Sequence, residues 1–484
     1  MEDRTVDYII IIAYLTGIAF YGIKSGGRQK SVKEYFLGAE KIPWWVICFS
    51  IVAAETSTLT FISIPGLAYL TNLNFLQLTF GYLLGRIIIS IFFLPAFYKG
   101  ELKTAYTFLE TRFGSKARST ASITFMFTRI AADGVRLFAT AIPLKLMLDI
   151  SYPVAIVIIA IVALIYTYTG GIRSIIWVDA VQMLIYLGGA ITACIYLVNL
   201  IPGNISEIIV RNDVASKLNF IEWGFGDSIA SFFSKPYTFI GGIIGGAFLS
   251  MASHGTDQLI VQRVLAANKL SSSRKALVGS GVIVIIQFFI FLVTGVLLYA
   301  LFGVTSMKSD EVFPHFILTS LPSGISGIII AGLFAAAMST LAGSMSSLSS
   351  SFMMDIFLPL KKSLIDEDKK LSLSRVATIL FGCLLILSAL IFMGSSKAVV
   401  EIALSIASFT YGGLLGLFLL GLFNKKINQD AALVAFFTAL GVMIFIITGK
   451  YVAWTWFTFI GVVITLSVGY VLSLFQSTQN QTNK

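Results

Sequence analysis

The stretch AGLFAAAMSTLAGSMSSLSSS, residues 331–351, joins an apolar beginning to seven serines and one threonine, and it carries no charge. Its first half is apolar enough to lie in a lipid bilayer. Ser339 and Thr340 follow Ala336 by three and four residues, so a helix places all three near one face. Hydroxyl groups inside hydrocarbon need polar partners, which neighbouring helices or a small cation with oxygen ligands can supply. The stretch therefore indicates a membrane helix that uses its hydroxyls.

The composition of the whole chain indicates a membrane protein. Of the 484 residues, 57% are hydrophobic and only 12% are charged, and the mean hydropathy is +0.90. Even large soluble domains keep a charged exterior, so this composition excludes an ordinary soluble protein. A membrane span needs roughly 20 apolar residues, and such runs recur from end to end. We expect one all-α, polytopic transmembrane domain, residues 1–484, in the lipid bilayer of the cell membrane.

The net charge of +10 does not indicate a nucleic-acid partner, because the basic residues lie in short loops between apolar runs. Every second loop is basic, as in the segment that carries Lys24, Arg28 and Lys30. This alternation places the N-terminus outside and the C-terminus in the cytoplasm. The apolar runs predict about thirteen transmembrane helices. The predicted spans are 7–23, 43–69, 76–98, 120–148, 152–169, 174–200, 236–262, 275–302, 323–357, 373–395, 399–423, 430–449 and 452–474.

Polar residues interrupt two of these spans in corresponding places. Span two contains ICFSIVAAETSTLTFISIPG at 47–66, and span seven contains GGAFLSMASHGTDQLIVQR at 245–263. Backbone freed by a helix break within a membrane must line a cavity or bind something. Broken helices in matching positions of two halves are typical of inverted-repeat transporters.

This pattern predicts how the single domain is organised. Two repeats of five spans begin in opposite orientations, because an odd number of spans, five, separates their starts. The segments are an extra N-terminal span and basic loop at 1–42, repeat 1 at 43–200, an extracellular loop at 201–235, repeat 2 at 236–424, and two additional spans and a tail at 425–484.

Five stretches of the chain together resemble one known family. They are AETSTLTFISIPGLAY (54–69), FTRIAADG (127–134), YTYTGGIRSIIWVDAVQ (166–182), DQLIVQRVLAAN (257–268) and LPSGISGIIIAGLFAAAMST (321–340). In this order they resemble the sodium/solute symporter family, which includes sodium/glucose, sodium/proline and bacterial sodium/sialic acid transporters. The resemblance implies a five-plus-five inverted repeat of the LeuT type and alternating access.

The resemblance also implies a Na⁺ site between the broken span two and the serine-rich helix. The matching positions are the backbone carbonyls of Ala53, Thr56 and Ala336 and the hydroxyls of Ser339 and Thr340. Five neutral oxygens suit a hard monovalent cation. The alternative is that the two hydroxyls only join neighbouring helices; the broken helix and the family match favour the ion.

Asp179 has two open roles. Some family members use an aspartate at this position for a second Na⁺, with two further hydroxyls on the serine-rich helix. Ala342 and Gly343 stand at those positions and offer no side-chain oxygen, which favours a single Na⁺. An acid within a membrane helix is a functional candidate, so Asp179 is expected either to take part in coupling or to pair with a basic residue such as Arg173.

The solute site is expected at mid-membrane, between spans two, three, four and seven. Glu55 is costly to bury at that depth unless it is paired, so it is expected either to accept hydrogen bonds from the solute or to pair with Arg136. Phe75 could stack on a solute. The candidate residues are Glu55, Ser57, Thr60, Phe75, Thr79, Asp133, Arg136, Asp257 and Gln258.

Asp133 bears on the nature of the solute. It stands where sialic acid transporters carry an arginine that binds the solute carboxylate, so the local charge is reversed and a sugar-like solute is favoured. Arg129, Asp133 and Arg136 are spaced by four and three residues and share one helix face. Arg136 is therefore expected to neutralise Asp133, with contact to a solute carboxylate as the alternative.

These features predict Na⁺-coupled symport of a small polar solute, with a monosaccharide-like compound favoured. The alternatives are an H⁺-coupled symporter of an amino acid or small carboxylate, in which Glu55 or Asp179 titrates, and a sialic-acid-type organic anion symporter. An enzyme is not expected, because two histidines and no acidic metal motif make a poor catalytic centre. A sensor is disfavoured by the short polar tail. We expect Na⁺ as the only cofactor and a functional monomer.

Overall fold

The computed structural model describes residues 4–38, 42–100, 102–225, 228–361, 365–393 and 399–482. Within these ranges the regular structure is helical. The helices before residue 201 are α1 (Thr5–Gly26), α2 (Val32–Leu37), α3 (Trp44–Glu55), α4 (Thr58–Leu70), α5 (Leu76–Lys99), α6 (Thr107–Phe113), α7 (Ser115–Leu148) and α8 (Tyr152–Leu200).

The second part of the chain continues the helical pattern. A π-helical turn at Phe352–Phe357 joins the serine-rich helix to the short helix that follows it. The helices are α9 (Ile205–Val210), α10 (Asn212–Ala215), α11 (Ile229–Ser234), α12 (Phe239–Gly255), α13 (Gln258–Leu265), α14 (Leu270–Phe302), α15 (Ser309–Thr319), α16 (Ile325–Ser351), α17 (Leu358–Leu360), α18 (Glu367–Ile391), α19 (Val399–Phe423), α20 (Gln429–Gly449) and α21 (Phe457–Thr482).

Within the described ranges, eight helices are long and apolar enough to cross a membrane, and a bent pair brings the number to nine. One of the eight, α8, is 49 residues long and covers both predicted spans five and six. Its backbone leaves the helical conformation at Gly171, where φ is 57°. A Cβ there would lie 2.4 Å from the carbonyl oxygen of Tyr35, so a glycine is required for both conformation and space. Residues 394–395, the end of predicted span ten, lie outside the described ranges.

Both predicted helix breaks are confirmed. In span two, α3 ends at Glu55 and α4 begins at Thr58, and the two axes differ in direction by 65°. The two residues between them have extended backbone conformations. In span seven, α12 ends at Gly255 and α13 begins at Gln258.

The serine-rich helix α16 lies at the centre of the molecule. Every residue from Ile329 to Ser351 is buried, and the helix contacts α1, α3, α4, α7, α8, α13 and α18. Its alanines, glycines and serines allow the neighbouring backbones to approach closely. A Cβ at Gly332, for example, would lie 3.1 Å from the Cα of Tyr186. The serine hydroxyls therefore face other helices rather than lipid, and these helices surround the site.

Candidate functional site

The broken span two lies against the serine-rich helix. Thr58, the first residue of α4, donates a hydrogen bond from Oγ1 to the carbonyl oxygen of Leu333, at 3.1 Å. Among the residues that the structure describes, none donates a hydrogen bond to the carbonyl oxygens of Ala53 and Thr56. Such oxygens are available to a cation. On α16, Thr340 donates to the carbonyl of Ala336 at 3.2 Å.

A small cavity of about 10 Å³, the space of a single water, lies where this break meets α16 and α7. Its wall includes Ser57 and Thr58 from span two, Thr340 from α16, and Asp133 from α7. The structure thus brings Thr340 of the predicted ion set together with three of the predicted solute residues, Ser57, Asp133 and Arg136.

Ser339 makes its hydrogen bond to Asp179. The hydroxyl donates to Oδ1 at 2.6 Å, while Ser50 of α3 donates to Oδ2 at 2.5 Å. Arg263 of α13 donates to the same Oδ2 from Nη2 at 2.9 Å, and all four residues are fully buried. Because Ser339 acts as the donor, its oxygen lone pairs are still available to a cation. The cluster also joins the two broken spans, since Ser50 belongs to one and Arg263 to the other.

Arg263, rather than the expected Arg173, is the ion-pair partner of Asp179 in this structure. Its guanidinium occupies the space beside Gly343, where a Cβ would lie 2.6 Å from Nη2. A serine or threonine at residue 343 would therefore collide with the arginine. The absence of a hydroxyl at residue 343 and the burial of the Arg263 guanidinium therefore go together, because the guanidinium fills the space that a larger side chain would need.

A larger cavity, with a volume of about 130 Å³, lies between both broken spans, α5, α7, α14 and α19. Five of the predicted solute residues are on its wall: Glu55, Ser57, Thr60, Phe75 and Arg136. Polar or aromatic groups that the sequence did not assign to the solute are also on the wall, namely Tyr82, Arg129, Ser253, His254, Phe288 and Tyr411.

Glu55 is paired with Arg86 of α5. It is not paired with Arg136, the partner that the sequence suggested as an alternative. Arg86 is fully buried and donates a further hydrogen bond from Nη1 to Ser280, at 2.6 Å. The Nε2 atom of His254 lies 3.6 Å from Oε2 of Glu55. The side chain of Glu55 is still 17% exposed, so its carboxylate can reach a solute while Arg86 offsets the cost of burying its charge.

Arg136 neutralises Asp133, as the spacing predicted, with Nη1 2.9 Å from Oδ1. Arg129 lies 3.4 Å from the same carboxylate and also contacts Asp257. Of the three α7 residues, both arginines are on the wall of the large cavity and Asp133 is not. The side chain of Arg136 is 21% exposed, against 1% for Asp133. A solute in the cavity therefore contacts the guanidinium of Arg136 and not the carboxylate of Asp133.

Four predicted solute residues are not on the wall of the large cavity: Thr79, Asp133, Asp257 and Gln258. Thr79 donates to the carbonyl of Leu76 in its own helix, at 2.7 Å. Gln258 accepts a hydrogen bond from the backbone N–H of Ala105 at 2.8 Å. Asp257 accepts from the hydroxyl of Tyr411 at 2.5 Å. In this structure these side chains are occupied by protein contacts.

The charges around the cavity balance. Three carboxylates face three guanidinium groups, so the formal sum is zero with His254 neutral. The groups are Glu55, Asp133 and Asp257 against Arg86, Arg129 and Arg136. Because Glu55 and Arg136 remain partly exposed, the cavity offers a solute both an anionic and a cationic group. It can therefore bind a polar molecule that carries donors and acceptors.

Arg86 and Arg263 are the charged residues that the sequence analysis did not single out. Arg86 stands in the apolar run LLGRIII at 83–89, and an intramembrane charge of this kind is a functional candidate by default. Arg263 lies at the end of the quoted span-seven stretch. Their partners, Glu55 and Asp179, lie 31 and 84 residues away in the chain, so spacing could not have paired them.

The sequence profile of the Sodium:solute symporter family matches residues 35–439. The sodium/sialic acid symporter SiaT of Proteus mirabilis is 30% identical over 476 residues, which cover 96% of this chain and 93% of that protein. The sodium/glucose cotransporter of Vibrio parahaemolyticus is 26% identical over 447 residues, which cover 88% of this chain and 82% of that protein.

A solved structure shares the fold over nearly the whole chain. It shows a Na⁺-coupled sialic acid symporter in a substrate-bound outward-open state, and it superimposes with a TM-score of 0.87 at 27% identity. The match covers 97% of this chain and 98% of the other. The all-helical fold is thus of the LeuT type, as the family resemblance implied.

Proposed function

Because the chain belongs to the sodium:solute symporter family and couples the transport of a small organic solute to Na⁺, we propose that its solute is a sugar that carries a carboxylate. This proposal revises the preference for a neutral monosaccharide. That preference rested on Asp133, which lies behind the cavity wall, whereas Arg136 is on it. Sialic acid, the substrate of the relative from Proteus mirabilis, is a sugar acid of this kind.

The position of Arg136 is the observation that carries the proposal. Among the described side chains, the guanidinium of Arg136 bonds to Asp133, and only through its Nη1 atom. Its other N–H donors are therefore free for a carboxylate. Arginine binds carboxylates well because its planar donors match the two oxygens. Hydroxyls of the sugar would meet Ser57, Thr60 and Glu55. Phe75, which stacks on Phe288 with ring centroids 5.3 Å apart, supports the apolar face of a sugar ring.

We infer that one Na⁺ is carried per cycle, bound by the carbonyls of Ala53, Thr56 and Ala336 and the hydroxyls of Ser339 and Thr340. The unpaired carbonyls at the break and the donor role of Ser339 support this site. The guanidinium of Arg263 beside Gly343 argues against a second Na⁺ at Asp179. Asp179 then positions Ser339 and does not bind an ion of its own.

The membrane arrangement follows from the same proposal. The chain crosses the cell membrane thirteen times, with the N-terminus outside and the C-terminus in the cytoplasm. Repeats at 43–200 and 236–424 rock against each other about the site, and the segments 1–42, 201–235 and 425–484 lie outside them. A functional monomer is part of the same proposal. The protein acts as a transporter and not as an enzyme.

Uptake into proteoliposomes tests the function. We expect an inward Na⁺ gradient to drive accumulation of labelled sialic acid, while an equal K⁺ gradient at the same pH does not. Glucose serves as the neutral sugar, and Ser339→Ala is expected to abolish the Na⁺ dependence. Uptake of glucose but not of sialic acid would overturn the solute class. Uptake driven by a pH gradient without Na⁺ would favour the H⁺-coupled alternative.

A further inference from the structure

We propose that Asp133 couples the solute cavity to the ion-binding helix through a short hydrogen-bonded relay, Arg136–Asp133–Ser344. The proposal rests on the solute and Na⁺ sites inferred above and adds a residue that binds neither ligand. Asp133 is a positioning residue in this scheme. It is 2% exposed and lies between α7 and α16.

One end of the relay reaches the cavity. The guanidinium of Arg136 bonds to Oδ1 of Asp133 at 2.9 Å, and it is also part of the cavity wall. A hydrogen-bond acceptor of the solute that binds Arg136 therefore competes with Asp133 for the same guanidinium. Arg129 lies 3.4 Å from both carboxylate oxygens and is committed to Asp257 as well, so it can compensate only weakly.

The other end of the relay reaches α16 one turn beyond Thr340. The hydroxyl of Ser344 donates to Oδ2 of Asp133, and the carbonyl oxygen of Thr340 lies 2.9 Å from the same hydroxyl. A serine hydroxyl has a single hydrogen, so the two acceptors compete for it. The hydrogen is thus placed either within α16 or across to α7, which gives the helix two alternative arrangements beside a proposed Na⁺ ligand.

The sign of the coupling follows from the charges. When the solute binds Arg136, Asp133 loses part of its strongest cationic partner and attracts the hydroxyl of Ser344 more strongly. The α16 segment around Thr340 is then held against α7, next to the break in span two, and Na⁺ binding is favoured. By thermodynamic reciprocity, bound Na⁺ favours the solute to the same extent. This is the sign that symport requires.

Ser344→Ala tests the relay with the least disturbance, because it leaves all ion pairs of Asp133 in place. Ser349→Ala is a matched control: Ser349 is also buried on α16, and its hydroxyl donates only to the carbonyl of Met345, at 2.6 Å. Asp133→Asn is a second variant that weakens both ends of the relay. The readout is the apparent Kd for Na⁺, measured by calorimetry on the purified full chain with and without saturating sialic acid.

For the wild type and Ser349→Ala we expect sialic acid to lower the Kd for Na⁺ by about 5- to 150-fold, the usual range of coupling. For Ser344→Ala and Asp133→Asn we expect the ratio of the Kd for Na⁺ without sialic acid to the Kd with it to fall below about twofold. A loss of packing alone would weaken the binding of both ligands and leave this ratio unchanged. An unchanged ratio in Ser344→Ala would overturn the relay and leave the symporter standing. A wild type without any coupling would overturn both.

Discussion

The two broken membrane helices differ in how the second half-helix begins. In span seven, Asp257 caps α13 by accepting a hydrogen bond from the backbone N–H of Leu259, at 2.9 Å. In span two, Ser57 stands at the corresponding place before α4, and its side chain makes no capping hydrogen bond. Ser57 lies on the wall of the large cavity, whereas Asp257 is occupied by Arg129 and Tyr411.

A helix break therefore does not by itself define a ligand site. Free N–H groups at a helix start attract anions or polar ligands, but only when the chain does not cap them itself. The break in span seven uses its own carboxylate and is expected to act as a structural joint. The break in span two keeps its backbone groups available and is expected to bind the cargo.

The largest effect is expected in the cluster that joins the two broken spans, where Asp179 of α8 pairs with Arg263. Arg263→Gln leaves a buried carboxylate without its cation, and removal of one partner from a buried pair costs about 3–5 kcal/mol. We expect a marked loss of thermal stability in purified protein. The double variant Asp179→Asn with Arg263→Gln should recover part of that loss, because no unpaired charge remains.

Arg274→Gln is the control for this experiment, since Arg274 donates to the carbonyl of Ser90 at 2.8 Å outside the cluster. It should change stability far less than Arg263→Gln. If the two variants were equally stable, the cluster of Ser50, Asp179 and Arg263 would not join the broken spans as described.

A smaller difference in stability should separate the two half-helix starts. Asp257→Ala removes a cap, worth about 1 kcal/mol, and also a partner of the buried Arg129, so a total loss of roughly 2–4 kcal/mol is expected. Ser57→Ala removes no cap and should change stability by less than about 0.5 kcal/mol. Thermal unfolding of both variants, without ligands, measures the contrast. Equal losses would show that the two starts are structurally equivalent.

The smallest effect concerns a pair of threonines that the sequence did not distinguish. Thr60 is on the cavity wall, while Thr79 bonds within its own helix and is not on that wall. Thr60→Ala should weaken solute binding by one hydrogen bond, about 0.5–1.5 kcal/mol or a roughly 2- to 13-fold higher KM for uptake. Thr79→Ala should leave KM within about twofold. The reverse order would place the solute elsewhere.

Much of the fold could be predicted from the sequence, because apolar runs, hydroxyl clusters and helix breaks are local signals. The serine-rich helix and the breaks at Thr56 and Asp257 were each predicted within a residue or two. Predicted spans five, 152–169, and six, 174–200, lie on either side of Gly171, where the backbone of α8 bends. The short segment TGGIRS at 169–174 separates two apolar runs, so this boundary was also a local signal.

The site was predicted less completely, because charge pairing depends on contacts between distant segments. Glu55 was expected either to bind the solute or to pair with a residue such as Arg136, and its ion-pair partner is Arg86. Asp179 was expected either to take part in coupling or to pair with a residue such as Arg173, and its ion-pair partner is Arg263. Sequence spacing did succeed for Asp133 and Arg136, which are one helical turn apart. Whether a residue such as Asp133 is on a wall or behind it depends on helix rotation, which the sequence does not specify.

The central claim is that Na⁺ binds between the break in span two and α16, and a Na⁺ titration of Thr340→Val tests it most directly. Valine keeps the shape of threonine and removes only the hydroxyl. Thr465→Val is the matched control, because Thr465 is buried and donates to the carbonyl of Gly461 at 2.8 Å, a bond of the same kind on α21. We predict a Kd for Na⁺ about tenfold higher or more in Thr340→Val, and a Kd within about twofold of the wild type in Thr465→Val. A Thr340→Val protein that binds Na⁺ as tightly as the wild type would contradict the account.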